Sequence, residues 1–267
     1  MIRGASRWVR QGTAAGVALL LAGCAVDGAF PILPGSNLDQ VWNTTRIYHP
    51  QRSGPPANPH TLGDLQLPVD GSRTWPAVIF LHGCTGFSGA KSQAQYPPAL
   101  ARAGFAVFVP DSFARGPARQ PVCGNVRSDT IALRHAEVES TLAHIRRLPW
   151  VDQKNLFLAG HSEGGIATAM YDGGEVFRAY FIAGWSCSST NPDFARIHAP
   201  RARPVLAIIG ANDSLQVGTA REGHHCGMRM SGRSDSRSIV LPGIGHEATD
   251  HYSTLPTLIE FFSKHRQ

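Results

Sequence analysis

The chain has 267 residues, of which 42% are hydrophobic and 16% charged, a length and composition that suit one large folded domain. Its formal charge of +6 includes three arginines in residues 1–23, and the 22 basic and 19 acidic residues that remain leave +3. Because these basic residues form no Lys/Arg block and are not interleaved with aromatic residues, nucleic-acid binding finds little support. No apolar stretch reaches the roughly 18 residues of a transmembrane helix.

The first 24 residues have the layout of an export signal. Three arginines precede an uncharged apolar run from Thr13 to Ala22, which is too short to span a bilayer. The run ends in Leu21-Ala22-Gly23-Cys24, which resembles the bacterial lipobox, where the cysteine is lipidated and becomes the first mature residue. We therefore predict a lipoprotein signal peptide over 1–23 and lipidation of Cys24; the alternative is an ordinary secretory signal with an incidental cysteine.

The predicted anchor implies a location. Acyl chains on Cys24 would tether the exported protein to a bacterial membrane. The next residue is Ala25 rather than Asp, which favours the outer membrane of a Gram-negative host, with the protein facing the periplasm. Residues 24–59 are rich in Pro, Gly, Ser and Asn and are interpreted as a tether followed by loops around a short edge strand. The domain itself is predicted over 60–267.

Strand and helix signals alternate along the chain from Gly63. Continuous apolar runs such as Ala77–Leu81 are typical of strands that are covered on both faces. This alternation predicts an α/β fold with a mostly parallel central sheet and helices on both faces, and ligands at the carboxyl ends of the strands. Strands are predicted at Leu65–Pro68, Ala77–Leu81, Ala106–Pro110, Leu156–Ala159, Ala179–Ile182, Val205–Ile209 and Ser238–Leu241, and helices at Pro97–Ala103, Ser128–Leu148 and Thr254–Lys264.

The segment Gly160-His161-Ser162-Glu163-Gly164 follows one of these strands. A Gly-x-Ser-x-Gly sequence alone is a weak signal, and a glycine-rich turn is the plain alternative. Here, however, it lies between the strand Leu156–Ala159 and a segment that can form a helix, which is the setting of a nucleophile elbow. The glycines would permit the sharp turn that exposes Ser162, the predicted nucleophile.

A serine hydroxyl needs a general base, and the base needs a carboxylate to orient it. His246 comes directly after the strand Ser238–Leu241, and Asp213 follows the strand Val205–Ile209. The chain order Ser, Asp, His is that of α/β hydrolases. For Asp213 the alternative is a helix N-cap. The fallback acids are Asp111, Asp193 and, less favoured, Glu222.

A serine mechanism also needs two backbone N–H donors for the oxyanion. One is predicted at Glu163, directly after the nucleophile. The other is expected in the loop His82-Gly83-Cys84-Thr85-Gly86, which resembles the HG-type oxyanion loop of α/β hydrolases. The donor is placed at Cys84, with Thr85 as the alternate.

Four cysteines remain once Cys24 is set aside. In an exported protein an even number makes two disulfides plausible, and four cysteines allow three pairings. Because each pair follows strands that should be close neighbours, we favour Cys84–Cys123 and Cys187–Cys226. Four buried free thiols are the alternative.

Three segments together resemble the dienelactone hydrolase family. They are His82-Gly83-Cys84-Thr85-Gly86, Pro110-Asp111-Ser112-Phe113-Ala114-Arg115-Gly116 and Gly160-His161-Ser162-Glu163-Gly164-Gly165, and the resemblance extends over about residues 60 to 265. It implies an α/β-hydrolase fold and hydrolysis of small esters or lactones without a cofactor. The family's prototype enzymes carry cysteine as the nucleophile where this chain has Ser162. That departure argues against dienelactone as the substrate and leaves carboxylic-ester hydrolysis.

The remaining candidates are pocket and metal residues. Thr85, Arg115 and Trp185 follow strands and are candidate pocket residues, although Trp185 could be core packing and Arg115 a surface ion pair. A zinc helix is not indicated, because His246 and His251 are five residues apart and so fall on different faces of a helix. His224-His225-Cys226 could ligate zinc, yet adjacent histidines are usually loop residues. No metal or other cofactor is expected.

The sequence thus predicts a serine hydrolase that cleaves a carboxylic ester or lactone through Ser162, Asp213 and His246, with an acyl-enzyme intermediate. Two alternatives stay open. A peptidase or amidase would use the same fold and triad. A lipoprotein that uses a hydrolase fold only to bind a ligand would keep the fold without the chemistry.

Overall fold

The computed structural model describes Met1 and residues 37–51, 54–57, 73–87, 91–115, 123, 126 and 128–267. Residues 2–23 of the predicted signal peptide, the predicted lipidation site Cys24 and the predicted edge strand Leu65–Pro68 lie outside these residues.

The described residues form one seven-stranded sheet with the strand order β1-β3-β2-β4-β5-β6-β7. Strand β1 runs antiparallel to β3, and all the other neighbours are parallel. The predicted α/β fold with a mostly parallel sheet is therefore confirmed. The strands are β1 (Arg46–Tyr48), β2 (Trp75–Leu81), β3 (Ala106–Val109), β4 (Val151–His161), β5 (Ala179–Ala183), β6 (Val205–Gly210) and β7 (Arg237–Leu241).

Helices cover both faces of this sheet because side chains of successive strand residues point to opposite sides. In β4, Leu156 and Leu158 belong to one buried apolar cluster, whereas Phe157 and Ala159 belong to the other. Helices α3 and α4 pack on the first cluster, and α2 and α5 on the second. The helices are α1 (Leu38–Thr44), α2 (Lys91–Arg102), α3 (Ser128–Ile145), α4 (Glu163–Met170) and α5 (Thr254–Lys264).

Three elements differ from the expectations. Helix α1 and strand β1 lie within 24–59, and Val41 and Ile47 are buried in the domain. A three-residue strand is too short to show a period-2 pattern. The sequence therefore indicated a short edge strand in this region but not which residues form it. Helix α2 begins six residues before Pro97 and runs through both prolines. Burial of Tyr96 and Leu100 against the sheet outweighs the lost backbone donors.

The parallel strands place the residues that follow β2, β4, β5, β6 and β7 at one edge of the sheet, since their carboxyl ends all point the same way. This edge carries the predicted nucleophile Ser162, the predicted base His246 and the favoured acid Asp213. None of the helices in the described part of the chain is long and apolar enough to cross a bilayer.

Candidate active site

Ser162 occupies a one-residue turn between β4, which ends at His161, and α4, which begins at Glu163. Its backbone has φ +55° and ψ −119°, in the left-handed half of conformational space where a residue with a side chain is strained by about 1–3 kcal/mol. The Ser162 N–H donates to the Ala183 carbonyl at the end of β5 (2.9 Å), and its carbonyl accepts from Ile166 N–H (2.9 Å). These bonds hold the strained turn in place.

The glycines around Ser162 are required by close backbone approach. A Cβ on Gly160 would lie 2.1 Å from the Gly164 carbonyl oxygen, and a Cβ on Gly164 would lie 2.1 Å from the Leu81 carbonyl oxygen. A Cβ on Gly165 would lie 2.5 Å from the Ala183 carbonyl oxygen. Only glycine lets the first turn of α4 pack this tightly against β2 and β5.

His246 and Asp213 complete a hydrogen-bonded chain that starts at Ser162. The distance from Ser162 Oγ to His246 Nε2 is 2.9 Å, and His246 Nδ1 lies 3.0 and 2.9 Å from the two carboxylate oxygens of Asp213. Asp213 is fully buried (0% exposed), and one of its oxygens also accepts the Leu215 N–H at 2.9 Å. A carboxylate fixed in this way orients the imidazole with its Nε2 lone pair toward the serine hydroxyl.

The loops after β6 and β7 hold Asp213 and His246 together. Ala211 N–H donates to the Leu241 carbonyl (2.9 Å) and Asn212 N–H to the Ile244 carbonyl (2.8 Å). A Cβ on Gly210 would lie 2.2 Å from carbonyl oxygens of the second loop, so this approach also needs glycine. The proximity of acid and base therefore follows from backbone packing between two neighbouring strands.

The fallback acids lie elsewhere. The Asp111 carboxylate accepts the Phe113 N–H (3.0 Å), and the Glu222 carboxylate accepts the Gly218 N–H (2.7 Å). Asp193 is exposed in the short 3-10 helix Pro192–Phe194. Among the described residues, Asp213 is the carboxylate that reaches His246 Nδ1.

A cavity of about 360 Å³ opens beside Ser162 and His246. The loop after β2 contributes Gly83, Cys84 and Thr85 to its lining, and Glu163 also lines it. The candidate pocket residues Thr85 and Trp185 line it as well. Its further apolar and polar lining comes from Val126, Ile166, Phe194, Leu215, Ser189, Gln216 and Arg221.

Arg115 does not fit its assignment as a pocket residue. Its side chain is 1% exposed and forms an ion pair with Glu137 (Nη2 to Oε1, 2.7 Å), and its guanidinium also donates to the Leu133 carbonyl. A buried guanidinium needs a compensating carboxylate, and α3 supplies one. Arg115 is thus part of an ion pair, as the alternative interpretation had it, but the pair is buried and not on the surface.

The Arg115–Glu137 pair belongs to a larger buried ionic network that sequence reasoning missed. Arg134 lies 3.2 Å from Glu137 and 4.0 Å from Glu163, and all four charged side chains are at most 1% exposed. Ser112 Oγ hydrogen-bonds Glu137 and accepts from Arg134. The only sequence signal was that Arg134 and Glu137 are three residues apart on a predicted helix. The apolar residues of that helix indicate that one of its faces is buried.

The two favoured disulfides, Cys84–Cys123 and Cys187–Cys226, are confirmed. Cys84 and Cys123 both line the cavity, so the first disulfide ties the wall beside Ser162 to a distant part of the chain. Because Cys226 is bonded to Cys187, its sulfur is not available to a zinc ion. His224 and His225 instead contact the hydroxyls of Ser188 (2.7 Å) and Ser238 (3.2 Å).

His161 and Glu247 flank His246. His161 is 1% exposed, and burial, with a smaller effect of nearby His246, lowers its pKa to about 4. Burial raises the pKa of Glu247, whose carboxylate lies 3.4 Å from His161 Nε2. His161 is therefore neutral at neutral pH and places no charge beside His246. Among the described residues, His161, His246 and Glu247 also bring potential metal-ligand atoms within 4.8 Å of one another.

Comparison with known proteins identifies a matching family and structures that share the fold. A model of the dienelactone hydrolase family matches residues 65–248. No curated protein matches the chain. Among solved structures, Est1E from Butyrivibrio proteoclasticus with bound ferulic acid is 15% identical, with a TM-score of 0.52 over 82% of this chain and 92% of that one.

Two further structures share the fold. A dienelactone hydrolase-like promiscuous phosphotriesterase from metagenomic libraries is 20% identical, with a TM-score of 0.52 over 73% of this chain and 88% of that one. A puromycin-hydrolysing peptidase of Mycobacterium tuberculosis is 15% identical, with a TM-score of 0.54, and the match covers 83% of this chain but 37% of the peptidase. At these identities the likeness concerns the fold.

Proposed function

The chain belongs to the dienelactone hydrolase family, and from that premise we propose that it is a serine hydrolase of carboxylic esters or lactones. Membership supports a hydrolase on this fold; the serine mechanism and the substrate class are the proposal. The observation that carries it is the hydrogen-bonded chain from Ser162 Oγ through His246 to buried Asp213, with the serine held in a strained turn beside a cavity.

In the proposed reaction Ser162 Oγ attacks the substrate carbonyl while His246 Nε2 takes the hydroxyl proton. Asp213 stabilises the imidazolium, and the amides of Cys84 and Glu163 donate to the oxyanion. When the tetrahedral intermediate collapses, the C–O bond of the ester breaks and His246 returns the proton to the leaving alkoxide. Water then attacks the acyl-enzyme with His246 again as base, which releases the acid and restores Ser162.

Serine as nucleophile favours ordinary esters and lactones over dienelactone. A serine hydroxyl depends on His246 and Asp213 for activation, because its own pKa leaves no anionic form at neutral pH. The mostly apolar wall formed by Val126, Ile166, Phe194 and Leu215 suits an uncharged acyl group. A peptidase or amidase would use the same machinery, and the test below separates the two.

We also propose that the protein is exported and lipid-anchored at Cys24, facing the periplasm from the outer membrane. Two disulfides support export, since they persist in oxidising compartments and are rare in the cytosol.

The experiment is stoichiometric labelling with a fluorophosphonate probe together with turnover assays. We expect one label per chain, its loss in Ser162→Ala, and a labelling rate at least about 100-fold slower in His246→Ala. The exposed Ser263→Ala serves as the matched control and should be labelled like the wild type. p-Nitrophenyl acetate and butyrate should be turned over faster than aminoacyl p-nitroanilides, with no loss of activity in a chelator.

Each contrary outcome has a distinct meaning. Absence of labelling would indicate a ligand-binding lipoprotein without catalysis. Faster turnover of the anilides would make the protein an amidase. Labelling that persists in Ser162→Ala would place the nucleophile elsewhere.

A further inference from the structure

We propose that His82 is a positioning residue that orients the Cys84 backbone N–H toward the oxyanion, acting through its hydrogen bond to the Gly83 carbonyl. This inference rests on the proposed function and adds to it a device that sets the geometry of the oxyanion hole. His82 is the first residue after β2, is fully buried (0% exposed), and does not line the cavity, whereas Gly83 and Cys84 do.

The contacts of the His82 ring determine its tautomer. The Ser112 N–H donates to His82 Nε2 at 3.1 Å, and Arg134 Nη1 approaches the same atom at 3.4 Å. Both partners are donors, so Nε2 must carry a lone pair. The ring proton is therefore on Nδ1, which lies 2.7 Å from the Gly83 carbonyl oxygen and donates to it.

The planar peptide transmits this constraint to Cys84. In a trans peptide the carbonyl of one residue and the N–H of the next point in opposite directions, and the described residues contain no cis peptide. The Gly83 oxygen is held by His82 Nδ1–H and by the Gly86 N–H at 3.1 Å. Fixing that oxygen from two sides fixes the direction of the Cys84 N–H on the other side of the plane.

The His82 ring is itself held by its surroundings. Arg134 Nη2 donates to the His82 carbonyl oxygen (2.9 Å), so this one guanidinium contacts both the ring and the backbone of the residue. The Phe113 ring stacks on His82 with centroids 5.6 Å apart. The same ring fills the space where a Cβ on Gly86 would lie, 2.5 Å from Phe113 Cε2. Position 86 therefore has no room for a side chain, and the loop packs directly against Phe113.

Arg134 extends the link to the second proposed donor. Its Nε lies 4.0 Å from a carboxylate oxygen of Glu163, whose backbone N–H is the other oxyanion donor. Glu137 neutralises Arg134 from the adjacent turn of α3 at 3.2 Å. A single buried network thus reaches both sides of the proposed oxyanion hole, and His82 is the member that touches the Cys84 peptide.

Two variants test separately the contacts made by the two ring nitrogens of His82. His82→Asn places an amide near the position of Nδ1, where its N–H₂ can still donate to the Gly83 oxygen. His82→Gln reaches the position of Nε2, where its oxygen can accept from Ser112 N–H but nothing replaces the donor to Gly83. Loss of one oxyanion donor costs about 10²–10³ in kcat, so we expect His82→Gln to lower kcat about 100-fold with KM nearly unchanged.

The same reasoning predicts that His82→Asn keeps kcat within about 10-fold of the wild type. A trifluoromethyl ketone, which forms an oxyanion on Ser162, should bind the Gln variant more weakly by the factor by which kcat/KM falls. Active sites are counted by the fluorophosphonate end point, so that unfolded protein does not enter kcat. His49→Gln is the matched control, because His49 is equally buried but packs between Trp75 and Trp150 away from this loop; its kcat should be unchanged.

The outcomes are separable from those of the proposed function. If the wild type is neither labelled at Ser162 nor active on esters, the serine mechanism fails. If the wild type is active and the Asn and Gln variants lose kcat equally, or the Gln variant keeps it, His82 has only a structural role and the inference is wrong. A rise in KM at constant kcat would also overturn it.

Discussion

At the scale of single residues, the site depends on positions where close contacts leave little choice of residue type. Ser162 combines a positive φ with a hydroxyl 2.9 Å from His246 Nε2, and the neighbouring glycines leave no room for a Cβ. Asp213 is buried, yet its two oxygens make three close contacts: each lies near His246 Nδ1, and one also accepts the Leu215 N–H. A buried carboxylate is tolerated only when it is hydrogen-bonded in this way.

Replacing Asp213 by Asn should lower kcat by about 10⁴-fold, because the amide no longer holds the Nδ1–H tautomer of His246. KM should change little, since Asp213 does not line the cavity. The measurement is steady-state kinetics on p-nitrophenyl butyrate, with the exposed Asp193→Asn as control. Equal activity of the two variants would mean that Asp213 does not orient the base.

At the scale of elements, loops that follow different strands are joined by bonds that do not belong to the sheet. The loop after β2 is held by the Cys84–Cys123 disulfide and by Arg134 of α3. The loops after β5 and β6 are linked by Cys187–Cys226. The sheet brings the loops to one edge, and these cross-links determine how they sit against one another.

The two disulfides offer a matched comparison, because each joins cysteines 39 residues apart. Loss of either pair, as Cys84→Ser/Cys123→Ser or Cys187→Ser/Cys226→Ser, should reduce the free energy of unfolding by up to about 4 kcal/mol through loop-closure entropy. We expect kcat to fall mainly in the first variant, because Cys84 carries a proposed oxyanion donor.

Urea denaturation measures the first quantity, and kinetics normalised to labelled active sites measure the second. Equal losses of kcat in the two variants would show that the Cys84–Cys123 bond has no role beyond stability.

At the scale of the whole molecule, the sheet separates two apolar cores and leaves one edge for chemistry. The proposed lipidation site Cys24 is not one of the residues proposed to carry the chemistry, which are Ser162, Asp213 and His246. Anchoring and hydrolysis should therefore be separable.

Replacing Cys24 by Ser in a Gram-negative host should release the protein from the membrane fraction and abolish incorporation of labelled palmitate, because no acyl chain can be attached. The specific activity on esters should be unchanged. Ala25→Asp is the control: it should stay lipidated but move from the outer to the inner membrane. Membrane association that survives in Cys24→Ser would argue against the lipid anchor.

Much of the architecture could be predicted from the sequence because its signals are local. Apolar runs marked the strands, and the carboxyl ends of parallel strands must share an edge, so residues 162, 213 and 246 were expected to meet there. The same neighbour relation of the strands indicated which cysteines pair. These inferences need only the order of the strands along the sheet.

Only the tertiary structure decided which side chains far apart in the chain contact one another. Nothing local shows that Arg115 is buried against Glu137 rather than facing a ligand, or that Ser112 and Arg134 select the tautomer of His82. Such partners depend on which charges and donors converge once the helices have packed. The position of strand β1 could not be predicted for a related reason. Its three residues are too few to show a periodic pattern, and its pairing with β3 exists only in the folded sheet.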